Sequence, residues 1–184
     1  MLATRMRSRN HNDLLLKVLA SHSDSDKWRG APFEKIKRVS NSLVGKVGQE
    51  FVERVCELIE FDCEFPLGRD GRRSNVSPWD IKIEGVAFEL KTATEDVGGA
   101  FQFNHIRYHR RYDAVLCLGI SPDSIHYECW TKAEITTGKA GSLVTMEKGA
   151  NASYKLTKKP SQLRGIETFE DGILDLVAKV EADR

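Results

Sequence analysis

Apolar residues recur at steps of three and four along 41–59, at Val44, Val47, Phe51, Val55 and Leu58. That period predicts an amphipathic helix. The rhythm then changes. Ile81 and Ile83, then Val86, Phe88 and Leu90, alternate on either side of Glu84 and Gly85, which predicts a hairpin with a two-residue turn. Residues 112–120 (YDAVLCLGI) form a nearly continuous apolar run, as in a strand buried on both faces. Residues 121–124 predict a turn, and 125–130 (IHYECW) alternate like a half-buried strand. Between hairpin and apolar run, 93–100 break the pattern and 101–111 (FQFNHIRYHRR) predict a short polar helix.

The flanks are less regular. Residues 12–22 have helical apolar spacing, 21–32 read as a linker, and 62–78 as an exposed loop. The Gly-, Ser-, Thr- and Lys-rich stretch 136–162 predicts one strand, near 152–156. Thr168 with Asp171 three residues on resembles a capping box, opening a helix with Ile173, Leu174, Leu176, Val177 and Val180 on its apolar positions. The order is helix, hairpin, helix, strand, strand, helix. It predicts one α/β domain with a mixed central sheet: an N-terminal arm (1–40), a core (41–135) and a C-terminal extension (136–184).

Composition narrows the class. Of 184 residues, 40% are apolar and 30% charged, ordinary for a globular chain, and the net charge of +1 does not discriminate among partners. The distribution says more. Residues 1–46 carry ten Lys/Arg against four Asp/Glu, 101–112 carry three Arg and two His without an acid, and acids outnumber bases after Ser161. A basic front with an acidic tail suits a protein that holds a polyanion on one side. No run approaches the roughly 18 apolar residues of a membrane span. Cys56, Cys63, Cys117 and Cys129 show no zinc-ligand spacing, so they are read as reduced thiols and the location as cytoplasmic. The lone GKAGS at 138–142 lacks the P-loop frame.

The chemistry lies in the hairpin. With Glu84 and Gly85 in the turn, paired residue numbers sum to 169, and Asp80 falls opposite Glu89. Both share a face with Lys82 and Lys91, their Cβ atoms roughly 4.5–5.5 Å apart. Facing carboxylates weaken a sheet, so stability alone would avoid the pair. A hard divalent cation removes the objection. Mg²⁺ binds through one or two carboxylates plus water and phosphate, and the Leu90 backbone carbonyl would add one more oxygen. Such a site polarises a phosphodiester and lowers the pKa of a bound water. Lys91 would orient that water and stabilise the charged phosphate.

Asp80 followed by Glu89-Leu90-Lys91 across a hairpin resembles the PD-(D/E)XK nuclease superfamily, which includes many type II restriction endonucleases. The likeness spans roughly 41–135, with a helix before the hairpin and a buried strand after it. The proline of the motif is displaced: Trp79 precedes Asp80, and Pro78 stands one further back. The resemblance implies a restriction-endonuclease-like core of α-β-β-α-β-β order, with Mg²⁺ as cofactor (or Mn²⁺) and Asp80, Glu89 and Lys91 as catalytic residues. It also implies one more acidic ligand from the preceding helix. Glu50, Glu53 and Glu57 are the candidates, about 100°, 160° and 120° from the centre of the predicted stripe. Glu50 is the choice, on the border.

Gln102, Asn104, His105 and Arg107 after the hairpin, and Arg72 and Arg73 in the preceding loop, are the expected DNA contacts, from amides and cations suited to phosphates and base edges. The implied activity is Mg²⁺-dependent hydrolysis of double-stranded DNA by a homodimer, without a membrane, beside a cognate methyltransferase encoded nearby. Two alternatives stand: a repair, recombination or phage-type structure-specific nuclease on the same fold, and a DNA-binding module that no longer cuts.

Overall fold

The computed structural model describes residue 18, residues 26–74 and residues 76–184. The helix expected over 12–22 lies outside the described residues, Val18 excepted. Three helices and nine strands are used below: α1 (Asn41–Leu58), β1 (Cys63–Glu64), β2 (Ile81–Ile83), β3 (Val86–Thr94), β4 (Phe101–Ile106), β5 (Ala114–Ile120), β6 (Ile125–Thr131), α2 (Lys132–Thr136), β7 (Leu143–Glu147), β8 (Ser153–Lys158), β9 (Arg164–Gly165) and α3 (Phe169–Ala182). The architecture is mixed α/β. A six-stranded sheet runs β1-β2-β3-β5-β6-β9, and a three-stranded sheet runs β4-β8-β7. The larger sheet is mixed, because β3 and β5 pair in parallel while its other neighbours are antiparallel. No helix among the described residues is long and apolar enough to cross a membrane.

The hairpin forms in the expected register, with Ile81 opposite Phe88 and Ile83 opposite Val86. Glu84 (φ 49°) and Gly85 (φ 75°) both adopt the left-handed conformation that a tight turn between twisted strands requires. Its apolar face enters one core with Val52 and Cys56 of α1 and with Phe169, Ile173, Leu176 and Val180 of α3. The other face of the large sheet offers Ala93, Val115 and Cys117 to Phe101, Phe103 and Ile106 of β4, making a second core between the two sheets. The seven residues of β5 are buried, as its unbroken apolar run requires. The four cysteines are free thiols, and all but Cys63 are buried.

Four expectations are corrected. Residues 101–106 are strand β4, not a helix: Phe101 and Phe103 alternate into the core, and a bulge between Phe103 and Ile106 resets the phase. The segment 136–162 contributes two strands, β7 and β8, where one was expected. Thr168 does not form the capping box; its Oγ1 donates to the Gly165 carbonyl at 3.0 Å, and its own carbonyl accepts from the Tyr127 hydroxyl. Nor is 136–184 an extension, since β8 pairs with β4, β9 with β6, and α3 supplies core side chains. Burying the four α3 residues Phe169, Ile173, Leu176 and Val180 contributes on the order of 6–12 kcal/mol, comparable with a whole domain's stability. A chain ending at residue 135 is therefore expected to show no cooperative thermal transition by circular dichroism.

The helix α1 also sits differently. Its buried line is Val44, Gly48, Val52 and Cys56, while Val47 and Leu58 are exposed. Thr92 approaches so closely that a Cβ on Gly48 would stand 1.9 Å from its Oγ1. The buried line is turned about 80° from the predicted stripe at 100° per residue. That rotation decides which α1 side chain reaches the hairpin.

Candidate active site

Asp80 caps the hairpin just before β2. Its N–H donates to the Phe88 carbonyl at 2.8 Å, and its Oδ2 accepts from the Leu90 N–H at 2.9 Å. The carboxylate thus takes the place of a ladder carbonyl and is fixed against β3. Glu89, next to Phe88 on β3, is 1% exposed. Lys91 Nζ lies 2.7 Å from Glu89 Oε1 as an ion pair, yet neither Glu89 oxygen has a well-aligned hydrogen-bond donor among the described residues. Burial pushes the Glu89 carboxyl up; Lys91 opposes this, and the nearby Asp80 adds to it. A buried carboxylate short of donors costs free energy unless a cation or proton meets it.

This shift has a measurable sign. A carboxyl with a raised folded-state pKa contributes stability that is full below its unfolded value and is lost as pH rises through the folded one. Glu89→Gln removes that loss. In melts without divalent ions, the variant is expected to exceed wild type in Tm above the folded pKa of Glu89. The two should converge below about pH 4. A difference constant across pH would mean that ionisation of Glu89 is not its cause.

Two recesses meet at Lys91. One, of about 350 Å³, is lined by Ser42, Lys46 and Gln49 of α1 together with Asp80, Leu90 and Lys91. The other, of about 340 Å³, brings Lys91 and Thr92 together with Asn41, Gln102, Asn104 and His105. A larger apolar hollow against Phe33, Ile36, Val47 and Phe51 contains none of these groups.

Glu50 does not line either recess; it is exposed, about 180° from the buried line of α1. Glu57 pairs with Arg54 at 2.9 Å, and Glu53 pairs with Arg73. The α1 side chain that bonds to Asp80 is Gln49, about 80° from the buried line, whose Nε2 donates to the Asp80 carbonyl at 3.2 Å. Locating the line through Gly48, Val52 and Cys56 would have found it. Among the described residues no three His, Cys, Asp or Glu side chains cluster as a metal centre.

The expected DNA contacts divide. Asn104 and His105 are exposed at the recess, His105 held at φ 58° in the β4 bulge. Gln102 is engaged, donating to Asp96 at 3.0 Å and accepting from Thr157 at 2.8 Å. Arg73 lies over the Phe65 ring, 3.7 Å from its centroid, in addition to its Glu53 pair. Arg72 is exposed on its loop, and Arg107 is half-buried just beyond β4. Arg110, in the same turn, donates to the Ser77 carbonyl at 3.4 Å and is close enough to lower the Glu89 pKa.

No protein-family model matches the chain, and no curated protein matches it. The chain is similar to the solved structure of a bacterial homing endonuclease, I-Ssp6803I, at 12% sequence identity and a TM-score of 0.45; the match covers 79% of this chain and 99% of that one.

Proposed function

We propose that this protein is a divalent-cation-dependent DNA endonuclease of the PD-(D/E)XK type, acting on double-stranded DNA in the manner of a type II restriction enzyme. The observation that carries the reading is Glu89: a carboxylate 1% exposed, with the Lys91 ammonium 2.7 Å from Oε1, no other donor to either oxygen among the described residues, and Asp80 close enough to raise its pKa. Lys91 offsets part of the cost of that arrangement, and a merely structural hairpin leaves the rest uncompensated.

The donors fit a small hard cation. Asp80 keeps one oxygen beyond its bond to the Leu90 N–H, Glu89 keeps Oε2 beyond its ion pair with Lys91, and the Leu90 carbonyl is the further candidate. The cation would be Mg²⁺ or Mn²⁺, and when bound it supplies Lewis acidity and a more acidic water. Asp80 is oriented for this by the Leu90 amide and by Gln49 at its carbonyl. Lys91 lines both recesses, and its ammonium, beside Glu89, would orient the attacking water and meet the charge growing on the phosphate. Ser42 and Lys46 would hold the strand beyond the scissile bond. Two strands require two sites or two visits, so a symmetric homodimer is the simplest assembly.

The test is incubation of the full chain with plasmid and phage DNA, in Mg²⁺, in Mn²⁺ and in excess chelator, with the ends mapped. Linear products with defined ends in either metal, and none in chelator, are expected. Nicks alone from a monomer would instead favour a repair or recombination nuclease. Cutting that persists in chelator would remove the cation from the reading.

A further inference from the structure

We infer that the outward face of the β4-β8-β7 sheet reads base sequence from the major groove of duplex DNA, which deepens the nuclease reading and rests on it for the DNA's presence. The inner face is committed: Phe101, Phe103, Ile106 and Leu156 are fully buried. The register fixes what the other face carries. Gln102 pairs with Thr157, and Val144 with Lys155, while the intervening Phe103 and Leu156 point inward. Asn104, Val144 and Thr157 are exposed and Lys155 is half-buried, with Met146 41% exposed near the end of β7.

These side chains form the set that base edges accept. An asparagine amide meets adenine in a bidentate pair, lysine meets the guanine acceptors, and apolar groups meet the thymine methyl. The face carries Asn104, Lys155 and Val144 for those three purposes. The major groove, roughly 12 Å wide, admits a two-stranded β-ribbon, so one antiparallel pair of this sheet enters at a time, its neighbouring strands about 4.8 Å apart. The platform is also stiffened. Gln102 is held between Asp96 and Thr157, so its neighbours stand on an ordered ledge.

Position and charge select the partner. The bulge that gives His105 its φ of 58° turns Asn104 and His105 into the recess that Lys91 lines. Bulges beside active sites commonly redirect side chains in this way. The face is therefore continuous with the place where the phosphate would react. Residues 139–159 hold five lysines against one acid, Glu147. That acid accepts from Ser153 at 2.8 Å and lies 3.8 Å from His105. Of these lysines the outward face itself carries Lys155, while Lys148 and Lys159 stand in the segments that flank β8. A lysine beside an amide and an apolar group, edged by further lysines, complements a polyanion.

The experiment uses full-length Asp80→Ala protein, which keeps the sheet, and a library of random-sequence duplexes enriched by repeated binding and sequenced. Asn104→Ala and Lys155→Ala are added separately, with folding checked by circular dichroism and mass by ultracentrifugation. Each is expected to relax preference at one position of the enriched motif by roughly tenfold while leaving the others in place. Arg72→Ala, on the loop, should weaken all sequences alike. An unchanged motif in both sheet variants overturns the inference, whether or not affinity falls uniformly. Loss of a dimer in Val144→Asp with the motif retained assigns the face to a second copy and overturns it too. Wild-type protein tested on plasmid with Mg²⁺ separates the two readings. Motif changes without cleavage support the sheet assignment and remove the nuclease, and cleavage with a motif indifferent to the sheet does the reverse. No enrichment by any variant removes both.

Discussion

Asp80→Ala is expected to lower DNA cleavage by at least about a thousandfold while the protein stays folded and still binds duplex DNA. The carboxylate is half-buried, and its one hydrogen bond to a described group is to the Leu90 N–H. Removing it forfeits one ladder-like contact, a net effect of about 1 kcal/mol, and relieves repulsion with Glu89. The fold therefore survives. What is lost is one of two carboxylates placed to hold a cation and, with it, electrostatic stabilisation that is worth factors of about 10²–10³ or more per group removed. Glu89→Gln and Lys91→Ala should each cost a comparable factor, and the double variant Asp80→Ala/Glu89→Gln little more than either alone, because groups that act as a unit are not additive. Divalent ions should raise the Tm of wild type and not of Asp80→Ala, since only a state with a binding site gains from ligand. Equal thermal shifts in both proteins, or undiminished cleavage by the variant, would dismiss the assignment of Asp80.

The legible parts of this chain are those in which local rules and tertiary packing agree. The hairpin is readable because Glu84 and Gly85 demand a two-residue turn, and period two then fixes Ile81 against Phe88 and Ile83 against Val86, which brings Asp80 close to Glu89. The buried run of β5 and the alternation of β6 follow from the same logic. Helix α1 is legible as a helix, but its rotation is not. Its apolar arc includes Val47, Phe51, Val52, Val55 and Cys56, too wide to name a centre, and Gly48 contributes nothing to a hydrophobic count. Gly48 nevertheless sets the seating, since Thr92 enters where the side chain is missing. The ambiguity carries into the site: it places Glu50 on the border and hides Gln49. Strand β4 is obscured for a different reason. Phe101 and Phe103 carry period two for only three residues before the bulge shifts Ile106 out of phase, and the basic residues beyond resemble a solvated helix face.

Phe101 and Gly119 should behave as one packing unit, and substituting either should strongly destabilise the protein. Phe101 is fully buried in the core between the two sheets, its ring lying over Gly119 near the C-terminal end of β5. A Cβ on Gly119 would stand 2.6 Å from that ring, far inside contact distance, and β5 cannot retreat because β3 and β6 pair on both its sides. Gly119→Ala should therefore cost about 1–3 kcal/mol by overpacking. Phe101→Ala opens a cavity in the same place and should cost about 3–5 kcal/mol. Phe101→Leu alone should be destabilising, but Leu in the Gly119→Ala background should recover part of the loss, giving a coupling of about 1 kcal/mol or more in a double-mutant cycle from urea melts. The sign matters for function as well. Gly119→Ala pushes β4 away from β3, moving Asn104 and His105 relative to Lys91, so cleavage should fall even where the protein remains folded, and the Phe101→Leu partner should restore it. Additive stabilities in the cycle would show that the two sheets do not meet through this pair.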